Sequence, residues 1–134
     1  MANIVSIRTL LNGPTQAIIS VYMKSDGVSG DLVNYTLIDP VETLGLRVKA
    51  RLSLAYIAYN FAGFDACIEF GSGLVDPTFK WVISEGTNFP IDFEPFGRLH
   101  DDSGLDGTCQ LQITTTGFTS SVDQGSMLIK VRKP

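Results

Sequence analysis

The chain has 134 residues, of which 44% are hydrophobic and 18% charged, and its formal net charge is -4. That length suits one domain with its own core, and the balance of apolar to charged residues excludes a disordered chain. With only 13 Gly and 2 Cys, collagen-like and disulfide-dense classes are excluded too, and the acidic surplus argues against nucleic acid and anionic membranes as partners.

Residues 1–16 carry a single charge, Arg8, among Ile4, Val5, Ile7, Leu10 and Leu11. The spacing allows a short turn of helix over 4–11, ended by Asn12-Gly13-Pro14. An apolar segment ahead of the first clear strand must dock, so 1–16 is expected to be an arm reaching a neighbour or a cap on one end of a β-domain spanning 17–134. The segment has no basic n-region and no small-residue cleavage pattern, so a cytoplasmic origin is expected.

Turn signals recur along the rest of the chain, among them Ser25-Asp26-Gly27, Asp39-Pro40, Gly71-Ser72-Gly73 and Asp106-Gly107. Between them lie segments rich in β-branched and aromatic residues, at 17–24, 32–38, 64–70, 78–84, 88–94, 108–118 and 126–132. The most regular stretch is 46–56. Leu46, Val48, Ala50, Leu52, Leu54 and Tyr56 alternate with Arg47, Lys49, Arg51 and Ser53, and period two predicts a long strand with one wet face. Past Ala55, Ile57 and Tyr59 make both faces apolar, as if a loop or another subunit covered that end. The mostly apolar run 52–64 is far shorter than the roughly 20 residues of a spanning helix. About eight strands in all predict an all-β fold, an antiparallel β-sandwich of jelly-roll type with an N-terminal arm.

The inventory for chemistry is thin. One histidine, His100, cannot make a multi-histidine metal site, and Cys67 and Cys109 read as two reduced, buried thiols. Asp101, Asp102 and Asp106 are hard oxygen ligands that suit calcium, against the simpler reading of a solvated connection between strands. No catalytic residue, cofactor or metal site is expected. Candidate contact residues are Ile4, Ile7, Leu10 and Leu11 in the first segment and Phe89, Ile91, Phe93 and Phe96 in the Pro-flanked stretch 89–96, because interface cores favour large apolar side chains. The alternative is that these aromatics fill the chain's own core, as is also expected of Trp81.

Several motifs together carry a family resemblance. Ile7-Arg8-Thr9-Leu10-Leu11-Asn12-Gly13-Pro14 resembles an opening Ile-Arg-x-Leu-x-Asp-Gly-Pro. Ile38-Asp39-Pro40 follows, and then a Gly-rich turn, Gly104-Leu105-Asp106-Gly107, leads into Gln112-Ile113-Thr114-Thr115-Thr116-Gly117-Phe118. In this order they resemble small structural proteins of tailed bacteriophages, the decoration (cement) proteins of the capsid. Two departures are Thr15 where Arg is usual after Gly-Pro, and Asp101-Asp102-Ser103-Gly104 where Asn-Asn-Ala-Gly is usual. The resemblance implies a non-enzymatic virion protein on the outside of the head, a homo-oligomer (trimer before dimer) that binds the major capsid protein. A neck, tail or baseplate component is the alternative. A carbohydrate-binding module using Trp81, Tyr56 and Tyr59 comes third.

Overall fold

A computed structural model describes residues 2–71, 80–87, 90–101 and 109–134. The strands are β1 (Ile4–Asn12), β2 (Gln16–Lys24), β3 (Tyr35–Ile38), β4 (Ser53–Ala62), β5 (Asp65–Phe70), β6 (Lys80–Ile83), β7 (Gly86–Thr87), β8 (Ile91–Asp92), β9 (Leu99–His100), β10 (Leu111–Thr116) and β11 (Gln124–Arg132). A 3-10 turn at Glu94–Phe96 lies between β8 and β9, and no α-helix occurs among the described residues. All strand pairs are antiparallel. One sheet runs β1-β2-β11-β4, with the short β7, β8 and β9 aligned one after another along the far side of β4; the other runs β3-β10-β5-β6.

Alternation builds both sheets. In β2, Ala17, Ile19, Val21 and Met23 are buried; in β11, so are Met127, Ile129 and Val131. In the smaller sheet Ala66, Ile68, Phe70, Leu111, Ile113 and Ile83 do the same, and all of them join a single core. Period two with one apolar face is what a half-buried strand requires. All seven expected segments from 17–24 onward, 46–56 aside, contain a strand. The stretch 88–94 contributes only the two-residue β8, and the described residues hold eleven strands against the expected eight, because β1 is added at one margin and β7 and β9 join β8 along the far side of β4.

Two expectations are corrected. Residues 4–12 form an edge strand and not a turn of helix. Val5 and Ile7 point inward opposite Met23 and Val21, and the register then slips between Thr9 and Leu11, so that Leu11 stands opposite Ile18 on the outer face. Leu10 is the extra residue of this β-bulge, and the slip produces the helix-like spacing of the apolar residues. An isolated eight-residue helix is marginal in water, whereas β2 offers a full row of backbone partners. In this position 4–12 is the margin of the sheet.

The long strand expected from Leu46 begins only at Ser53. Lys49 has φ 65° and the Ala50 N–H donates to the Arg47 carbonyl at 3.2 Å, which makes a turn where the alternation was most regular. Val48 is 75% exposed. Upstream, the Leu46 N–H closes on the Pro40 carbonyl at 2.9 Å, so Leu44 and Leu46 reach the core from a loop. Periodicity recorded burial at Leu46, Ala50 and Leu52 but not at Val48, and among the described residues no strand pairs with 46–52. The change of phase past Ala55 is also internal. Lys130 pairs with Tyr56 and Val131 with Leu54, which leaves Ala55 as a bulge residue, so Leu52 and Leu54 point inward before it and Ile57, Tyr59 and Phe61 after it.

One end of the core is aromatic. Phe61 stacks on Phe64 at 4.7 Å, and Phe64 meets Phe118 edge-on at 4.6 Å. Gly125 lies against this cluster: a Cβ there would come within 2.4 Å of the Phe61 ring. Gly63 has φ 92°, and a Cβ would fall 2.0 Å from Asp123 Oδ1. The buried Asp123 accepts the Thr119 and Ser120 N–H groups at 3.1 and 2.9 Å and closes the turn before β11. Asp31 likewise accepts the Phe118 N–H at 2.7 Å and the Thr115 hydroxyl at 3.1 Å, tying the segment before β3 to β10.

Candidate functional site

The outer face of the large sheet is assembled from the residues that alternation turns away from the core. Register places Arg8, Ser20, Leu128 and Ala58 in one row across four strands, and Ser6, Tyr22, Ser126 and Asn60 in the next. The middle of the face is made of small side chains. Ser20, Ala58 and Ser126 floor a shallow hollow of about 350 Å³ bordered by Leu128, and Tyr22, Ala62 and Gln124 line a second hollow of about 180 Å³ beside it. The Tyr22 hydroxyl donates to Gln124 Oε1 at 3.2 Å, which holds the ring at the rim.

The charge of this face runs against that of the chain. The protein has 14 Asp and Glu, yet the four strands β1, β2, β4 and β11 hold none; their only charges are Arg8, Lys24, Lys130 and Arg132. All four project on the outer side, as the buried residues alternating with them require. Acids lie at its borders: Asp92 on β8 and Glu94 just after it at the far margin, and Asp26 beside Ile4 and Lys24 at one end. Arg132 donates to Glu94 Oε1 at 2.8 Å, and this bond holds the Glu94 carboxyl below the usual range and raises the Arg132 guanidinium. A surface with tyrosine, leucine and isoleucine, small residues between them and only cations suits a protein surface that brings its own carboxylates.

At one end of the same sheet Arg51, Arg98, His100, Asp101, Arg132 and Lys133 surround a hollow of about 360 Å³. Arg51 is paired with the buried Asp101 at 3.3 Å, and His100 Nε2 lies 2.9 Å from the Gly97 carbonyl. Cys109 is buried, and burial, with the Asp101 charge second, pushes its thiol up. Cys67 is half-exposed on the outer face of β5 and not buried as expected, and neither cysteine is in a disulfide. Among the described residues no group of three metal-ligating side chains gathers. Asp102 and Asp106 lie outside the described residues, as does the turn 104–107.

The expected contact residues divide between core and surface. Ile4 and Leu11 are exposed on the outer face, and Leu10 is the exposed bulge residue. Ile7 and Ile91 are half-buried against the core. Phe93 is 4% exposed and packs edge-on against Trp81 at 5.0 Å, so it serves the core and not a contact surface. Phe96 is 85% exposed at the 3-10 turn. Phe89 lies outside the described residues. The two groups do not converge: β1 and β8 are the opposite margins of one sheet, four strand spacings or about 19 Å apart. Trp81, Tyr56 and Tyr59 do not share a face either, since Tyr56 points outward, Tyr59 is buried and Trp81 packs on Phe93.

Sequence reasoning missed Ser20, Tyr22, Ala58, Ser126 and Leu128. A signal was available, because an acidic chain that keeps Asp and Glu out of four strand segments is reserving a surface. No family model matches this chain, and neither the curated proteins nor the solved structures contain a match.

Proposed function

We propose that this chain is a structural protein of a tailed-phage particle, a decoration protein that binds the outside of the head and stabilises it. The observation that carries the reading is the strand order. Leaving β1 aside, β2, β11, β4 and the β7–β9 row lie side by side in one sheet, and β3, β10, β5 and β6 in the other. Eight strand positions whose connections keep returning across two sheets suit a jelly-roll sandwich, an architecture that recurs in viral capsid and lectin domains. The motifs running from Ile7 to Phe118 add the phage resemblance.

In this reading the acid-free outer face of the large sheet docks on the major capsid protein. Each contact need be only modest, because a homo-oligomer engages several coat subunits at once. Binding many equal sites on a mature shell stabilises the state that offers those sites, by mass action. A face with few charges and several apolar side chains fits a long-lived contact better than a transient one.

The test is copy number. Quantitative mass spectrometry of purified particles, made by the genome that encodes the chain, compares this protein with the major coat protein. A ratio near parity, or a simple fraction of it, supports decoration of the shell. A ring's worth of copies transfers the protein to the neck or tail, and absence from the particle overturns the virion reading.

A further inference from the structure

We propose that β1 is a self-pairing edge, through which two copies of this chain join their large sheets about a twofold axis at Ser6. The four sheet margins are unequal. Among the described residues β3 and β6 each have four, and the β7–β9 margin is made of two-residue pieces, whereas β1 presents nine. Among the described residues β1 pairs with β2 alone. Natural proteins blunt their edges with short strands, charges, prolines or bulges, because an open edge is a template for another strand. β1 has one charge, Arg8, no proline, and a bulge only near its end, at Leu10.

The occupant follows from the sequence of the edge itself. In an antiparallel pair, residues directly opposite each other share a face, so a twofold axis between the strands must lie midway between one residue and its own copy. The regular stretch before the bulge is Ile4–Thr9, and an axis at Ser6 pairs Ile4 through Arg8 with their copies while leaving Leu10 outside. Val5 then faces Ile7 of the second copy on the inner side. Both are only half-buried in the single chain, so pairing completes their cover. On the outer side Ile4 faces Arg8 of the second copy, and Arg8 never faces Arg8. Opposite apolar pairs and the avoidance of like charges are what stabilise a strand pair. The axis is perpendicular to the sheet, so both acid-free faces stay on one side and form a continuous surface of twice the area. The inference stands independently of the virion reading, since it concerns the free protein.

Sedimentation equilibrium of the purified full chain tests it, together with cysteine cross-linking in a Cys67→Ser background. The expected mass at high concentration is twice the 14.5 kDa of one chain. Ser6→Asp places two like charges across the axis and is expected to return the mass to one chain; circular dichroism checks that it folds, which an exposed position allows. Ser6→Cys is expected to form a disulfide between copies under mild oxidation, because opposed residues in an antiparallel pair bring their Cα atoms to about 4.5–5.5 Å. Ile4→Cys, opposite Arg8, is expected to remain a thiol, and Phe96→Ser on the far margin to leave the dimer intact. A chain that sediments as a monomer at every concentration, or as a trimer, overturns the proposal. So does a dimer that Ser6→Asp leaves intact or that Ser6→Cys does not cross-link.

Discussion

On one side of the large sheet the nine residues of β1 form an open margin, with Ile4 and Leu10 more than half exposed. On the other side β4 is covered by β7, β8 and β9, and the chain between the last two is pinned from below: Phe93 is buried against Trp81 and its N–H donates to the Ala55 carbonyl at 2.8 Å. Both segments looked alike as sequence, a short apolar run beside a proline. The far margin sends Phe93 into the core, and Phe96 is the large apolar side chain it exposes among its described residues, whereas β1 leans on the core through the half-buried Val5 and Ile7 and leaves the rest outside. A margin that is anchored closes a sheet, and one that is merely paired stays available to a second strand.

The largest contrast should appear on truncating each margin. Phe93→Ala should cost about 3–5 kcal/mol, the range for a large core aromatic, and loosen β8 and β9 together. Leu10→Ala should stay within about 0.5 kcal/mol, as surface changes do. Urea denaturation of both variants measures the difference, and equal costs would erase the distinction between the margins. Next comes Gly125→Ala, which drives a Cβ into Phe61 beneath the outer face; overpacking of this kind costs about 1–3 kcal/mol and should lower the urea midpoint without changing the slope.

Smaller in stability but decisive for the face, Leu128→Glu puts a carboxylate in the middle of the acid-free surface. It should leave the melting temperature nearly unchanged and abolish addition of the protein to capsids stripped of it, while Thr114→Glu on the outer face of β10 should bind normally. Particle pull-down with gel densitometry reads both.

The smallest effect concerns the loop that meets the β1 margin. Asp26 is held at a pKa of about 2, first by the Ser29 hydroxyl and then by the Ser29 and Val28 N–H groups, and its own N–H donates to Asn3 Oδ1. Its folded value lies below the ordinary 3.8, so the turn's contribution is complete above about pH 4 and is lost as pH falls toward 2. Amide exchange at Val28 and Ser29 should rise in that window and be flat across it in Asp26→Asn.

How far each region was legible depended on what its pattern recorded. Strands β2, β5, β10 and β11 could be read directly because each buries one face and exposes the other without interruption, so composition and period agree. The stretch 46–52 has an equally regular pattern but, among the described residues, no strand beside it, since Asp39 and Pro40 fold 39–46 into a loop that brings Leu44 and Leu46 inward by another route. At β1 and at Ala55 one inserted residue shifted the phase, and a bulge leaves no mark in composition. The candidate face was half legible. Its lack of acids is written in the sequence, but its rows exist only once β1, β2, β11 and β4 are side by side.

By itself the sequence determined an all-β chain, the inward residues of its regular strands and the segregation of negative charge away from four of them, because these follow from local alternation and composition. Only the tertiary structure decided that the first segment is an edge strand, that Phe93 is core while Leu10 is surface, and that β11, last in the chain, lies between β2 and β4. Strand neighbours are chosen by long-range pairing and by which surfaces remain to be buried, and neither is a property of any local stretch of residues.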